Sequence, residues 1–315
     1  MQRRSKALQS SVTVGAAGRR AHRRRFVESA TGLLMALPPF VLVVLLIVLP
    51  AVDATVFSLG RVPINNAAFN TGMHLVRSTG LTLEVYRQLF ASRFFRQDLA
   101  LTLVVTGVSV VLIVILAYVL ALYVRFSEGF LPRVLRQLYL VPMFIPVVIA
   151  SYALTTFYVD HGLLHALFTH LGLHYGSPIY HQNGIVLGQV WQGIPFAVLL
   201  LSSGLDGLAQ EQIEAARDAG ANALTVFRRI VLPLNVVPLL IVGTFTFIGI
   251  MGSFTIPYLI GPNAPQMLAV EMQAHFTSYN QPQPAVAMAV VTFLIAAVAG
   301  AFYVWGTARS SRRSA

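Results

Sequence analysis

Six long uncharged runs divide the chain, each with the length of a lipid-crossing helix. The first, Ser29 to Val52, holds 24 residues without an ionisable side chain, and about 20 apolar residues cross the hydrocarbon core of a bilayer as an α-helix. Further runs cover Leu99 to Val124, Gln137 to Val159, roughly Ile185 to Leu205, Pro233 to Ile260 and Gln283 to Trp305. Pro142, Pro146, Pro195, Pro238 and Pro257 fall inside them, where neighbouring helices can satisfy the carbonyls that a proline frees. The pattern predicts an all-α integral membrane protein with six transmembrane helices. Asp53, just past the first run, reads as a helix-end residue. Between the first two runs, Gly60 to Asp98 forms an outer loop with a helical stretch at Leu83 to Phe90, either lying in the interface or offering a cap to an external partner.

Composition agrees: 56% of residues are hydrophobic and 10% charged, too few charges to solvate the surface of a soluble domain, where about 25% is usual. The formal net charge of +11 does not indicate nucleic acid, because the basic residues cluster beside apolar runs. There are no cysteines, hence no disulfide framework and no thiolate site.

The basic residues orient the chain, since cytoplasmic loops carry the excess of Lys and Arg. With the N-terminus inside, the inner segments hold Arg3, Arg4, Lys6, Arg19, Arg20, Arg23, Arg24 and Arg25, then Arg125, Arg133 and Arg136, then Arg217, Arg228 and Arg229, and finally Arg309, Arg312 and Arg313. That is seventeen inside against five outside, the five being Arg61, Arg77, Arg87, Arg93 and Arg96. The expected organisation is a basic disordered cytosolic tail at 1–31, a six-span membrane domain at 32–308 with both termini in the cytosol, and a basic cytosolic tail at 309–315. A targeting sequence is the alternative for 1–31, but the apolar run behind it exceeds the about 7–15 residues of a signal core.

Three acids and three arginines lie between Glu211 and Arg229, in the loop between spans four and five. Leu208 to Ala219 has good helix formers, with Asp206 available as a cap and Ile213, Ala216 and Gly220 on one stripe. Gly220 permits the left-handed turn that ends many helices. Asn222 can cap a second helix that carries Leu224, Phe227 and Val231 on one face until Pro233 stops it. The loop reads as helix, turn and helix entering span five, continuous through Phe227 to Pro233.

Two absences bear on energy supply. A phosphate-binding loop needs a lysine between Gly and Ser or Thr, and the only lysine is Lys6, between Ser5 and Ala7. Ion-coupled carriers place ionisable residues within the membrane, and the six runs have none. An ion-coupled secondary carrier remains the rival from another class, and a membrane-embedded enzyme lacks every motif that would carry it. Energy must come from a partner.

Glu214-Ala215-Ala216, three residues, Gly220, nine residues, then Ile230-x-Leu232-Pro233 resembles the signature loop of ABC importer permease subunits. The resemblance covers about Ala36 to the C-terminus. It implies a non-catalytic subunit, multi-pass in the bacterial inner membrane, whose loop forms a cytosolic coupling helix docked in a cytosolic ABC ATPase dimer. ATP and Mg would sit on that partner, with no cofactor on this chain. It further implies a second permease subunit, homologous or identical, and an extracytoplasmic substrate-binding protein, with the bilayer as surroundings. Carried over, Glu214 makes the charged contact, Ala215 and Ala216 lie against the ATPase, Arg217 and Asp218 rim the contact, Gly220 bends, and Ile230, Leu232 and Pro233 lead into span five. Glu-Ala-Ala-Arg-Asp-Ala-Gly-Ala at 214–221, and the later Phe254 to Gly261, look more like the spermidine/putrescine-type permeases, so a polyamine-like solute is expected, with a sugar or glycerophosphodiester as the alternative. Ala219 in place of leucine departs from that pattern.

Candidate pathway residues are polar and within spans: Ser151, Tyr152 and Thr155, with Thr156, in the third; Gln189, Trp191 and Gln192 in the fourth; Thr246 and Ser253, with Thr244 and Thr255, in the fifth. Helix–helix hydrogen bonding is the competing role for each. His161 and His165, and His170 and His174, are spaced four apart with His181 beyond. On a helix each pair would share a face as metal ligands can, but packing against a binding protein is the preferred reading, and no metal site is assigned.

Overall fold

Proline, more than hydropathy, sets where the apolar runs become straight helices. The structure, a computed structural model, describes residues 34–62, 72–73 and 75–311. The expected tail at 1–31 lies outside the described residues, as do 312–315. The chain divides into two units, 1–57 and 58–315. In the first, α1 (Leu34–Ser58) runs through Asp53 and so extends past the end expected at Val52. Most of its apolar side chains are exposed, Leu34, Met35, Phe40 and Leu46 among them, Phe57 near its end being buried, as suits a helix that faces lipid.

α1 contains one wide turn at Val44–Val48, where the Leu49 N–H reaches back to the Val44 carbonyl. Pro50 follows at once. Its ring has no N–H and crowds the carbonyl four residues back, and a π-turn relieves that crowding by shifting the register. The same device recurs at Phe227–Val231, where the Leu232 N–H reaches the Phe227 carbonyl immediately before Pro233.

The second unit comprises α2 (Glu84–Ala91), α3 (Arg93–Phe126), α4 (Phe130–Leu138), α5 (Val147–Tyr158), α6 (Leu163–His170), α7 (Gln182–Asp206), α8 (Gln210–Asp218), α9 (Ala223–Leu234), α10 (Val236–Met251), α11 (Thr255–Ile260), α12 (268–278, its last turn a π-turn) and α13 (Pro282–Ser311). There is no strand among the described residues. Among the described residues five segments are long and apolar enough to cross a membrane, or six if the bent pair α9–α10 is one span.

α3 and α7 are the central pair. The buried stripe of α3 includes Leu101, Thr102, Val105, Thr106, Ser109, Ile113, Ala117 and Ala121, which recur every three or four residues and are small at several positions, allowing close helix approach. Against it lie Ile185, Ala197, Val198, Leu201 and Leu205 of α7, with Val242 and Ile250 of α10 and Ile256 and Ile260 of α11 completing one core. A second, smaller core joins Val85 and Leu89 of α2 to Phe95 of α3, Leu268 of α12, and Ala287, Met288 and Val291 of α13. The helix between the first two apolar runs is therefore a packed part of the fold.

Two spans differ from expectation. The run from Gln137 to Val159 is not one helix: a single 3₁₀ turn occupies Val141–Phe144 and the straight helix starts only at Val147, after Pro146. The apolar stretch then continues through a break to His170. The run from Pro233 to Ile260 is bent by 65° between α9 and α10 and breaks again at Gly252 to Phe254 before α11.

Candidate functional site

The signature segment folds much as its residues dictate. α8 ends in a Schellman turn: Gly220 sits at φ +84°, its N–H donates to the Arg217 carbonyl at 2.8 Å, and the Ala221 N–H donates to the Ala216 carbonyl at 3.0 Å. These bonds satisfy carbonyls that a helix end leaves open, and glycine adopts the left-handed geometry without a Cβ penalty. Asn222 Oδ1 then accepts from the Thr225 N–H at 2.9 Å, capping α9 as expected. Asp206 does not cap α8. It is the last residue of α7, and it pairs with Arg125 at 3.6 Å, while Ala209 occupies the cap position without a side-chain bond.

The buried face of α8 is narrow. Ile213 is buried in the main core with Leu205, Leu208, Val226 and Val231, and Ala216 is partly buried beside them. Glu214, Ala215, Arg217 and Asp218 are exposed; Glu214 accepts only from Gln210, one helical turn away. Ile230 and Leu232 pack against the core and Pro233 is exposed. The result is a short, low, charged ridge held to the helical body through one isoleucine. Phe227 carries the contact further, its ring lying 6.0 Å from that of Tyr118 on α3.

The continuity expected from Phe227 through Pro233 into the span is interrupted. Pro233 does not end the helix, which runs to Leu234 and turns at Asn235. Asn235 is fully buried, its amide beside the Tyr118 hydroxyl of α3 without a well-formed hydrogen bond among the described residues. It presses on Gly204 of α7, where an added Cβ would collide with Asn235 Oδ1 and with Pro238. Sequence reasoning passed over Asn235; an amide between Pro233 and Pro238 in an apolar run was the signal.

Beyond the bend lies a cavity of about 420 Å³ lined by Gln189, Gln192, Thr246, Ser253 and Thr255 together with Phe245, Phe254 and Ile113. Gln189 donates to Ser253 Oγ at 2.7 Å. Gln192 Oε1 is buried without a partner. No ionisable residue lines the cavity. Five candidates, Gln189, Gln192, Thr246, Ser253 and Thr255, are thus brought together from three helices and a helix break. The others are not. Ser151 Oγ donates to the Val147 carbonyl and Thr155 Oγ1 to the Ser151 carbonyl, so both hydroxyls serve their own helix. Tyr152 is exposed, and Trp191 does not line the cavity.

Neither histidine pair shares a helix face. His161 precedes α6 at φ +69° and His174 follows it. The His161 and His165 rings meet at 5.2 Å, and Tyr175 lies 6.0 Å from His165. Among the described residues no group of three or more His, Cys, Asp or Glu is arranged to hold a metal ion.

The profile of the family described as binding-protein-dependent transport system inner membrane component matches residues 109–312. The chain belongs to this family. It is a multi-pass inner-membrane permease subunit of an ABC importer. Among its relatives are the probable ABC transporter permease protein y4oQ of Sinorhizobium fredii, 27% identical over 86% of this chain and 85% of that protein, and the trehalose/maltose transport system permease protein MalF of Thermococcus litoralis, 28% identical over 86% and 91%. The spermidine/putrescine transport system permease protein PotB of Haemophilus influenzae is 25% identical over 71% and 79%. A chain of the bacterial alginate ABC transporter, solved in complex with an alginate pentasaccharide-bound periplasmic protein, shares the permease fold at TM-score 0.71, 16% identity and coverage of 89% and 93%. In this permease the family match takes in the signature segment, the bend at Asn235 and the Gln189 cavity, but not α1 or α2.

Proposed function

We propose that the permease moves a small, neutral, hydroxyl-rich solute of the carbohydrate class through the Gln189–Ser253 cavity, and that α8 couples this movement to ATP hydrolysis on a separate ATPase dimer. The observation that carries the solute class is the cavity lining: amide and hydroxyl groups on an aromatic and aliphatic frame, with no ionisable side chain. Such groups hydrogen-bond sugar hydroxyls and stack on sugar faces, whereas a polycation in this low-dielectric setting would lack a counter-charge.

Coupling rests on placement. Glu214, Ala215, Arg217 and Asp218 face outward on a ridge anchored by Ile213, and α9 leads from Gly220 to the Asn235 bend, beyond which α10 carries Thr246 into the cavity. A push on α8 thus reaches the cavity through one chain of packed helices. The count of basic residues supports a cytosolic position for α8 with both termini inside, six spans when α9–α10 is taken as one, and ATP and Mg held by the partner. The exposed apolar faces suit lipid and a second permease subunit, identical or homologous, and the opposite face suits a solute-loaded binding protein.

A polyamine-like solute is the second reading, favoured by the loop sequence at 214–221 and by the similarity to a spermidine/putrescine permease. Uptake into vesicles carrying the permease with its ATPase, sister subunit and binding protein decides between them. ATP-dependent accumulation of a labelled disaccharide, uncompeted by spermidine, is the expected result; accumulation of spermidine alone overturns the neutral-solute reading. Accumulation driven by an ion gradient without the ATPase overturns the coupling reading.

A further inference from the structure

A second cavity, of about 660 Å³, opens at the far end of the molecule from α8. Its walls come from α2, the first turns of α3, the 263–266 loop, α12 and the start of α13. α3 fixes the separation: Asp98 lies near its beginning, and Arg125, paired with Asp206 beside α8, near its end. At 1.5 Å per residue those positions are about 40 Å apart, more than the thickness of a hydrocarbon core. Ile113 of the Gln189 cavity lies between them on the same helix.

The chemistry of this cavity is one-sided. Asp98, 5% exposed, accepts from the Gln266 N–H at 2.8 Å through Oδ1; its other oxygen has no hydrogen-bond partner among the described residues, although the side chain lines the cavity. Glu271 and His275 line it too, paired at 3.2 Å and close enough for both charges to act on Asp98. Among the described residues no lysine or arginine lines it. The His275 ring stands on Glu271, so Asp98 has no basic side chain paired with it among the described residues. Phe94 and Tyr279 line the same cavity, together with the apolar Leu89 and Met288. A buried carboxylate with one oxygen left over, two aromatic side chains and apolar groups in one lining suit a positive charge on an organic body.

We infer that this cavity binds a small organic monocation, a protonated primary amine with an apolar or aromatic tail, the ammonium on Asp98 and the tail between Phe94 and Met288. The site is separate from the solute cavity, and the inference does not rest on the solute's identity.

Isothermal titration of the purified full-length permease in nanodiscs with 2-phenylethylamine tests it, with 2-phenylethanol as the uncharged control. Saturable binding of the amine and none of the alcohol is expected. Asp98→Asn keeps an oxygen for the Gln266 N–H while removing the charge, and should weaken binding at least about tenfold, as befits loss of a charge-assisted hydrogen bond. Phe94→Ala, at an exposed side chain, should also weaken it. Gln189→Ala should leave amine binding unchanged, which separates this site from the transport cavity. Equal binding of amine and alcohol, absence of saturable binding, or binding unaltered by both Asp98→Asn and Phe94→Ala would overturn the assignment.

Discussion

Gln189 on α7 donates its side-chain N–H to Ser253 Oγ at 2.7 Å, and this bond ties the central helix pair to the point where the fifth apolar run breaks. Ser253 lies in the non-helical link between α10 and α11, so the bond holds a break in one run against the continuous helix α7. It joins two residues that both line the Gln189 cavity. Gln189→Leu removes the donor and places an apolar group in the cavity. Solute uptake by the assembled transporter should fall about tenfold or more while insertion of the permease is unchanged, since a hydrogen bond of this kind contributes only about 1 kcal/mol to stability. Normal uptake in the variant would exclude the residue from the pathway.

Gly220 holds φ +84° and closes the Schellman turn. Proline requires φ near −65°, so Gly220→Pro destroys the turn and re-aims α8. Glu214→Lys reverses one charge on the ridge and leaves the fold intact. Both should uncouple ATP hydrolysis from uptake and reduce copurification of the ATPase, with uptake down by about tenfold, within the range of a lost coupling free energy. Uptake at the level of the unaltered permease in both variants would remove α8 from the coupling path.

The Asn235 amide is buried beside the Tyr118 hydroxyl, without a well-formed hydrogen bond among the described residues, where α9 turns into α10. An unpaired buried amide costs about 1–3 kcal/mol, so Asn235→Ala should raise the thermal midpoint of the isolated permease or leave it unchanged. It should nevertheless reduce ATP-driven uptake if the amide finds partners as the bend changes during the cycle. A variant less stable than the original would show that the amide is already satisfied in the resting state.

Gly204 meets Asn235 and Pro238 with no room for a methyl group. Gly204→Ala should cost about 1–3 kcal/mol by overpacking, read as a lower midpoint of thermal unfolding in detergent. Gly300 has open space where a Cβ would stand, and Gly300→Ala should leave the midpoint within error.

Leu89 is buried in the small core that joins α2 to α13. Leu89→Ala should destabilise the permease by about 2–5 kcal/mol through loss of apolar contact and the cavity left behind. A loop helix merely resting in the interface would tolerate the change, so thermal unfolding of this variant checks that α2 belongs to the packed body.

The signature segment was legible because its logic is local. Gly220 ends a helix and Asn222 caps the next through bonds that span three to five positions, and the sequence contains both partners. Ser151 and Thr155 show the opposite case. A hydroxyl within an apolar run looks like a pathway group, yet its own helix supplies a carbonyl one turn back, and only the structure shows which acceptor is used. The acid at Asp98 abuts an apolar run, and Glu271 and His275 stand one helical turn apart. Those two signals lie far apart in the chain, and nothing local joins them.

Hydropathy by itself determined that this protein is helical and membrane-embedded, because a bilayer leaves an isolated segment no other way to satisfy its backbone. The charge pattern and motif spacing pointed to an energy source outside the chain and singled out α8 as the segment to test for coupling. Tertiary structure alone decided that the Gln189 amide meets the Ser253 hydroxyl at the fifth-run break, where that run bends, and that two acids and a histidine distant in the chain share one cavity. Those outcomes depend on side-chain volume at close helix crossings such as Gly204 against Asn235, a property of residue pairs and not of the residues taken singly.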